Sequence, residues 1–392
     1  MDRQNFRAVV RDLASDGRAV VLHPSGYTVF VSGAWVGEEI DVEIVERKGK
    51  FGIGRLVDII KPSQDRINPP CEFHGHTEIN CGGCPWQFIR YEAQLTAKRR
   101  RVEKAMAAIG VKYGIKEIEA STAELAYRNR AQLKTDGAVI GLLANKSSSL
   151  VAVDDCLVLS EKNRQTLKDL NSLLPFDDWK PVRSQGVKRK SKQEQRQSWT
   201  TLDIDESIDA EQVSVNQRLP FKQANDAQNT FMQQWLSSKL SSLDKSYSVL
   251  ELFSGEGNFT SVISETGFES ILAADIAGDA IELLRRKELS KVTAVAVDLF
   301  DKKIFENLVT KNPCEILVLD PPRDGLKAKD GLFAKHAQLS DVFYIYCDLA
   351  TLTRDLKDFI AQGFKVREIQ PLDMFPQTPH IEMLVHLRKK QS

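Results

Sequence analysis

The sequence predicts an α/β protein: a Rossmann-like domain over residues 216–392, preceded by a small N-terminal β-barrel (residues 1–62) and a mixed α+β central domain (residues 63–215). Three observations predict it. Short β-branched runs separated by Gly or Pro fill the start of the chain. A less regular stretch with Cys71, Cys81, Cys84 and Cys156 follows. From about residue 216, strand-like and helix-like segments alternate to the end.

In the N-terminal part, residues 19–22, 28–31, 39–45 and 52–57 read as strands whose regular spacing suits a barrel. Pro62 and the Pro69-Pro70 pair mark its boundary. A helix is predicted over residues 90–109, ended by Gly110 and carrying Lys98-Arg99-Arg100-Arg101. Residues 183–198, with Lys188-Arg189-Lys190 and little apolar content, read as an exposed loop or hairpin tip. In the C-terminal part the strands are residues 248–253, 271–275, 294–298, 316–320 and 342–347, and their alternation with helices implies a parallel sheet.

The hydrophobic fraction of 42% in 392 residues is enough for real cores. Lys+Arg and Asp+Glu both number 54, so overall basicity is no argument for nucleic acid, and any such binding rests on local patches. Four are visible: Arg47-Lys48, Lys98 to Arg101, Arg128 with Arg130, and Lys188 to Lys192. Each can track phosphates, although a solvated face accounts for any single one equally well. There is no run of about 18 apolar residues to span a membrane. The start, Met1 to Arg7, has no apolar signal-peptide core. A cytoplasmic, reducing location is expected, where the six cysteines serve as ligands or nucleophiles rather than disulfides.

Gly255 and Gly257 sit directly after a strand and before a helix, where glycine lets the backbone turn sharply and approach a ligand. Thr260 occupies the place of a dinucleotide fingerprint's third glycine, which counts against a pyrophosphate. Asp275 lies where a ribose-binding acid is expected, and Asp298 is placed to reach an adenine amine. S-adenosylmethionine, with a ribose, an adenine and no phosphate, suits this set better than NAD. A plain structural turn with solvated strand-end acids is the bland alternative.

Ligands of open α/β sheets lie beyond the carboxyl ends of the strands, where Asp320 and Cys347 both fall. Uracil carbon 5 is a poor nucleophile. A thiolate added at carbon 6 makes carbon 5 enolate-like and able to attack a sulfonium methyl. A base must then take the carbon 5 proton so that the thiol can leave. Cys347 is the candidate nucleophile and Glu382 the candidate base, with Asp320 holding the pyrimidine edge or the cofactor and Arg323 balancing developing charge. Phe375 is a candidate stacking partner for the target base. That base has to leave its stack, so the substrate is a loop or a locally unfolded segment. Cys314 reads as structural.

Cys71, Cys81, Cys84 and Cys156 make a four-thiolate set that suits zinc or an iron–sulfur cluster, and spacing does not decide between them. His74 and His76, within the gap, read as solvated loop residues or zinc ligands. A redox dithiol at Cys81/Cys84 is a third option.

These motifs stand in a recognisable order: Phe221-Lys222-Gln223-Ala224-Asn225, then Leu252 to Thr260, then Asp320-Pro321-Pro322-Arg323-Asp324-Gly325, then Asp373 to Glu382. In this the chain resembles the RNA uracil 5-methyltransferases, which form 5-methyluridine in ribosomal and transfer RNA. The resemblance implies S-adenosylmethionine contacts at Gln223, Phe253, Asn258, Asp275, Asp298 and Asp320. It implies Cys347 as nucleophile and Glu382 as proton acceptor. It also implies a barrel similar to the RNA-binding TRAM domain and a [4Fe-4S] cluster, as in the ribosomal branch. The expected partner is RNA, 23S ribosomal RNA in particular, bound by a monomer. A transfer RNA substrate, or a non-catalytic RNA-binding or assembly role, is the alternative. One departure stands out. The family has Asn-Pro after the nucleophile where this chain has Asp348-Leu349, and an acid there is expected to raise the thiol's pKa.

Overall fold

The structure, a computed structural model, describes residues 5–145, 147–181, 199–326, 332–333 and 338–389. The chain forms two compact units. One comprises Met1–Ala97, Ala123–Asn225 and Phe375–Pro379, and the other Lys98–Thr122, Asp226–Met374 and His380–Ser392.

The first unit opens with β1 (Asn5–Val9), β2 (Asp12–Leu13), β3 (Ala19–Leu22), β4 (Thr28–Val31), β5 (Glu39–Lys48) and β6 (Phe51–Lys61). They pair in the order β1-β5-β6-β4-β3-β2. The two outermost strands are consecutive in the chain. Between them the Val10 N–H donates to Glu38 O (2.9 Å) and the Arg11 N–H to Val20 O (3.0 Å), so the sheet closes on itself as the sequence leads one to expect. Alternation puts Ala19, Val21, Val29, Val31, Ile40 and Val42 inside. The interior is tight: a Cβ at Gly54 would stand 2.5 Å from a Val42 methyl and 2.9 Å from a Val29 methyl. The sequence reading began its strands at residue 19 and passed over β1 and β2, although Asn5 to Val9 alternates polar and apolar residues as a half-buried strand does.

After the barrel comes α1 (Tyr91–Ala107), close to its predicted span. A four-stranded sheet follows in the order β10-β7-β8-β9, from β7 (Arg130–Thr135), β8 (Ile140–Leu143), β9 (Leu150–Ala152) and β10 (Thr200–Asp205). Helix α2 (Glu161–Ser172), capped by the Ser160 hydroxyl, lays Leu167 and Leu170 on Leu133, Leu202 and Ile204. The basic segment Lys188 to Lys192 lies outside the described residues.

The second unit is built on seven strands in the order β13-β12-β11-β14-β15-β17-β16. In chain order its elements are α3 (Asp226–Ser241), β11 (Ser248–Leu252), α4 (Asn258–Glu265), β12 (Ser270–Asp275), α5 (Gly278–Arg286), β13 (Val292–Ala296), α6 (Lys302–Lys311), β14 (Ile316–Leu319), β15 (Asp341–Tyr346), α7 (Leu349–Ala361), β16 (Phe364–Leu372) and β17 (Glu382–Lys389). The five strands from β11 to β15 are parallel, and β14 and β15 are buried along their length, as central strands covered on both faces must be. The sheet is not wholly parallel as predicted. β17 runs antiparallel to β15, and β16 antiparallel to β17. This hairpin has a functional consequence: the register pairs Tyr346 with Met383, so the next residues outward, Cys347 and Glu382, face each other. Among the described residues, no helix is long and apolar enough to cross a membrane.

Candidate active site

The site is the C-terminal edge of the parallel strands. Leu252 pairs with Ala274 on one side and Leu319 on the other, so Phe253, Asp275 and Asp320 emerge side by side. Cys347 leaves the next strand and Glu382 enters the one after it.

The glycine turn is built to stay open. Phe253, Gly255 and Gly257 have φ of 64°, 53° and 85°. At Phe253 this left-handed backbone is strained for a side-chain-bearing residue and must be held by its surroundings. A Cβ at Gly255 would meet nothing within 4 Å, leaving a clear concavity, whereas one at Gly257 would stand 2.4 Å from Leu284 Cδ1. The Ser254 hydroxyl is buried with no partner among the described residues. Such an orphaned donor beside an open turn fits a ligand in the concavity.

A buried pair underpins the turn. Thr260 Oγ1 donates to Glu251 Oε2 at 2.5 Å. Burial, opposed by that bond, and the nearby Asp320 and Asp275 push Glu251 up to about 8. The sequence reading passed over Glu251, although an acid inside the apolar run Val249 to Leu252 was the available signal.

Asp275 accepts the Gly255 N–H on Oδ2 (2.9 Å) and the Ala277 N–H on Oδ1 (2.8 Å), tying the end of β12 to the glycine turn. Asp298 accepts the Phe300 N–H at 2.8 Å, and the Phe300 ring lies 5.9 Å from that of Phe253. The Asn258 amide is occupied by α3, exchanging hydrogen bonds with Asn229 and accepting from Gln233. Asp320 is pushed up to about 7 by burial and by Asp275. Gln223 lies in the first unit, where its carbonyl accepts from Asn129 Nδ2 at 2.8 Å.

Around Cys347 the electrostatics oppose ionisation. Burial first, then the Glu382 carboxylate and Asp320, push the thiol up to about 11, while the Arg323 guanidinium acts downward by charge and by hydrogen bond. Glu382 is itself buried and raised well above the usual carboxylate range, by burial first and then by Asp320. Burial and the two neighbouring acids thus act against ionisation of the thiol, and Arg323 acts for it. The Asp348 carboxylate caps α7, accepting the Thr351 N–H at 2.8 Å.

In the first unit, Cys71, Cys81, Cys84 and Cys156 line one cavity of about 390 Å³, together with Arg128, Arg130 and Phe375. All four are free thiols. Backbone N–H groups point at the sulfurs: Gly83 at Cys81, Phe73 and His74 at Cys71, and Val158 and Leu159 at Cys156. Burial pushes all four thiols up, and these donors act against it, toward the thiolate that would ligate. Among the described residues, no three His, Cys, Asp or Glu side chains gather as a site for a metal ion. His74 and His76 are not solvated as expected. Burial pushes His76 down to about 4, its ring nitrogens are enclosed, and its ring stands edge-on to Phe88, while His74 Nδ1 lies 3.1 Å from Cys84 O.

The patch Lys98 to Arg101 also differs from its sequence reading. Lys98 is fully buried and paired with Asp373 at 2.5 Å, and Arg99 is paired with Glu103 and Glu117. Tertiary pairing, invisible in the local sequence, has taken half of that run away from solvent. Arg128 and Arg130 keep their guanidinium groups near aromatic rings, 6.0 Å from the centre of Phe375 and 5.9 Å from that of Phe221.

Comparison with known proteins matches this arrangement to one family. The model of the tRNA (uracil-5-)-methyltransferase family matches residues 158–390. An uncharacterized RNA methyltransferase of Nitrosomonas europaea is 38% identical over 395 residues, covering 98% of this chain and 97% of that protein. The 23S rRNA (uracil(1939)-C(5))-methyltransferase RlmD of Halomonas elongata is 30% identical over 445 residues, covering 98% of this chain and 89% of that protein. The crystal structure of the tRNA (uracil-54, C5)-methyltransferase of Pyrococcus abyssi, in complex with S-adenosyl-L-homocysteine, shares the fold. Its TM-score is 0.70 at 20% identity, over 97% of this chain and 100% of that one.

Proposed function

The chain belongs to the tRNA (uracil-5-)-methyltransferase family and is an S-adenosylmethionine-dependent RNA (uracil-5-)-methyltransferase; on that premise we propose that its substrate is a uridine of 23S ribosomal RNA and that Cys347 and Glu382 carry the reaction. The observation that supports the assignment of residues is the β15–β17 register, which ends at Tyr346 and Met383, the neighbours of Cys347 and Glu382, together with the charge of Glu382 acting on the thiol.

In this reading Cys347, as thiolate, adds to carbon 6 of the target uracil and drives the electron pair of the 5,6 double bond toward carbon 5 and the ring carbonyl. S-adenosylmethionine, when bound, supplies the sulfonium methyl that carbon 5 takes up. Glu382 then removes the carbon 5 proton, the 5,6 double bond re-forms, and Cys347 leaves as thiolate. Arg323 offsets the negative charge on the sulfur and on the ring oxygen. Phe253, Gly255, Asn258, Asp275 and Asp298 form the cofactor cradle, with Asp320 facing its reactive end, and Gln223 is a further cofactor contact. The open space at Gly255 and the orphaned Ser254 hydroxyl support this placement.

Cys71, Cys81, Cys84 and Cys156 would hold a [4Fe-4S] cluster with a structural role. Their shared cavity and N–H donors support it. The ribosomal substrate is favoured by the RlmD relatives. The protein acts as a cytoplasmic monomer, and its barrel contributes to RNA binding.

Incubation with methyl-labelled S-adenosylmethionine and uridine-bearing 23S fragments tests the reading. Label is expected in one uridine with wild type and none with Cys347→Ala. Equal incorporation by both would refute the residue assignment, and labelling of transfer RNA alone would refute the ribosomal substrate. A brown protein with broad visible absorption is expected for the cluster, and a colourless zinc-loaded protein would refute it.

A further inference from the structure

Tyr346, one residue before Cys347, is fully buried, and its phenol O–H reaches across to the segment after β14. It donates toward two carbonyls, Arg323 O at 2.9 Å and Pro322 O at 3.2 Å. These peptides carry Arg323, whose guanidinium hydrogen-bonds the Cys347 thiol. Arg323 itself is exposed.

The remaining fixed points lie on α7 and β15. Asp355 accepts the Leu326 N–H at 3.3 Å and the Tyr344 O–H at 2.6 Å, while Arg354 donates to Asp324 O at 2.9 Å. Gly325, at φ 73°, lies so close to this pair that a Cβ would stand 2.6 Å from both Arg354 and Asp355. Asp355 and Arg354 thus hold the far end of the segment. The Pro322 carbonyl also accepts the Gly325 N–H at 2.8 Å, closing a turn, and Tyr346 adds the hydrogen bond to the Arg323 carbonyl.

We propose that Tyr346 is a positioning residue for the nucleophile: its phenol fixes the Arg323 peptide so that the guanidinium stays beside Cys347 Sγ. The proposal rests on Cys347 being the nucleophile, but its test reads the thiol directly. The groups facing that thiol are Glu382 from β17 and Asp320 and Arg323 from the segment after β14, with Asp348 turned into its cap. Of these only Arg323 favours the thiolate. Losing its alignment leaves burial and two carboxylates unopposed. Tyr346 is itself raised by burial and stays neutral throughout the working range, so it acts through geometry and not charge.

The experiment is the pH dependence of iodoacetamide alkylation at Cys347, read by mass spectrometry of the peptide containing it, in the full-length protein. Tyr346→Phe removes one oxygen and leaves the ring. It is expected to raise the alkylation midpoint by about one pH unit, the scale of a lost cationic partner. Arg323→Gln is expected to raise it by the same amount, and the double variant by no more than either alone. An unchanged midpoint in Tyr346→Phe overturns the proposal, as does an additive shift in the double variant. An unchanged midpoint in Arg323→Gln overturns it without recourse to any Tyr346 variant. Failure of the functional reading would look different: wild-type protein would form no adduct at Cys347 with 5-fluorouridine RNA, whatever the titration shows.

Discussion

Cys347 and Glu382 face each other at the ends of β15 and β17, and the Glu382 carboxylate is the largest charge acting to keep the thiol protonated. The nucleophile and the base of the proposed reaction thus oppose each other in the free protein. The arrangement suits a reaction that needs them in turn: a thiolate while the acid is neutral, then a carboxylate once the sulfur is bonded to carbon.

Glu382→Gln separates the two roles. With the carboxylate gone, the Cys347 alkylation midpoint is expected to fall by about one pH unit. The reaction itself stalls at the methylated adduct, because nothing removes the carbon 5 proton. A covalent complex with ordinary uridine RNA should accumulate and be visible as a shifted band under denaturing electrophoresis. Undiminished turnover in this variant would contradict the assignment of the base.

Asp320 makes cofactor affinity depend on pH. It is pushed up to about 7 by burial and Asp275, so it is neutral below that value and negative above it. Only the negative form attracts a sulfonium cation. The Kd for S-adenosylmethionine is expected to fall by about five- to tenfold from pH 6 to pH 8, consistent with a group whose charge changes in that window. S-adenosylhomocysteine, whose sulfur is neutral, should bind with little pH dependence, and Asp320→Asn should flatten the difference. Calorimetric titration of both ligands checks this.

The Asp348 carboxylate is taken up as the cap of α7, which we expect to limit its effect on the thiol. Asp348→Ala should lower unfolding stability by about 1 kcal/mol, the usual loss of a capping side chain. Asp348→Asn keeps an oxygen for the Thr351 N–H and should change neither stability nor the Cys347 alkylation profile. A large shift of that profile in Asp348→Asn would restore the expectation drawn from sequence.

Lys98 is a buried structural cation. Its partner Asp373 is also fully buried, so Lys98→Ala strands an uncompensated carboxylate at a cost of about 3–5 kcal/mol. Denaturant unfolding should show that loss. A variant of unchanged stability but weaker RNA binding would return Lys98 to the phosphate-tracking role that its local sequence suggests.

The alternation that positions the cofactor turn was plain in the sequence, because strands buried on both faces read as apolar runs and each ends in a chemically distinctive residue: Asp275, Asp320, Cys347. The antiparallel hairpin was not. β16 mixes charged residues with Pro371, β17 mixes Glu382, His386 and Arg388 with apolar residues, and periodicity assigns neither a direction. Yet that direction is what brings Glu382 to Cys347. Charge was the least legible property. Lys98 and His76 each sit in segments that read as solvated, and each is enclosed by side chains from elsewhere in the chain. Tyr346 and Glu251 carried no motif, and only their contacts in the fold, with the Arg323 carbonyl and with Thr260 of α4, give them a role.

The account depends most on a bond between Cys347 Sγ and carbon 6 of a uracil ring. The direct measurement is mass spectrometry of the complex formed with 5-fluorouridine-substituted 23S RNA and S-adenosylmethionine, in which fluorine blocks the final proton removal. The account predicts a methylated fluorouridine adduct on the peptide containing Cys347 and none with Cys347→Ala. Methyl transfer to ordinary RNA without any such adduct, or an adduct on a different residue, would contradict it.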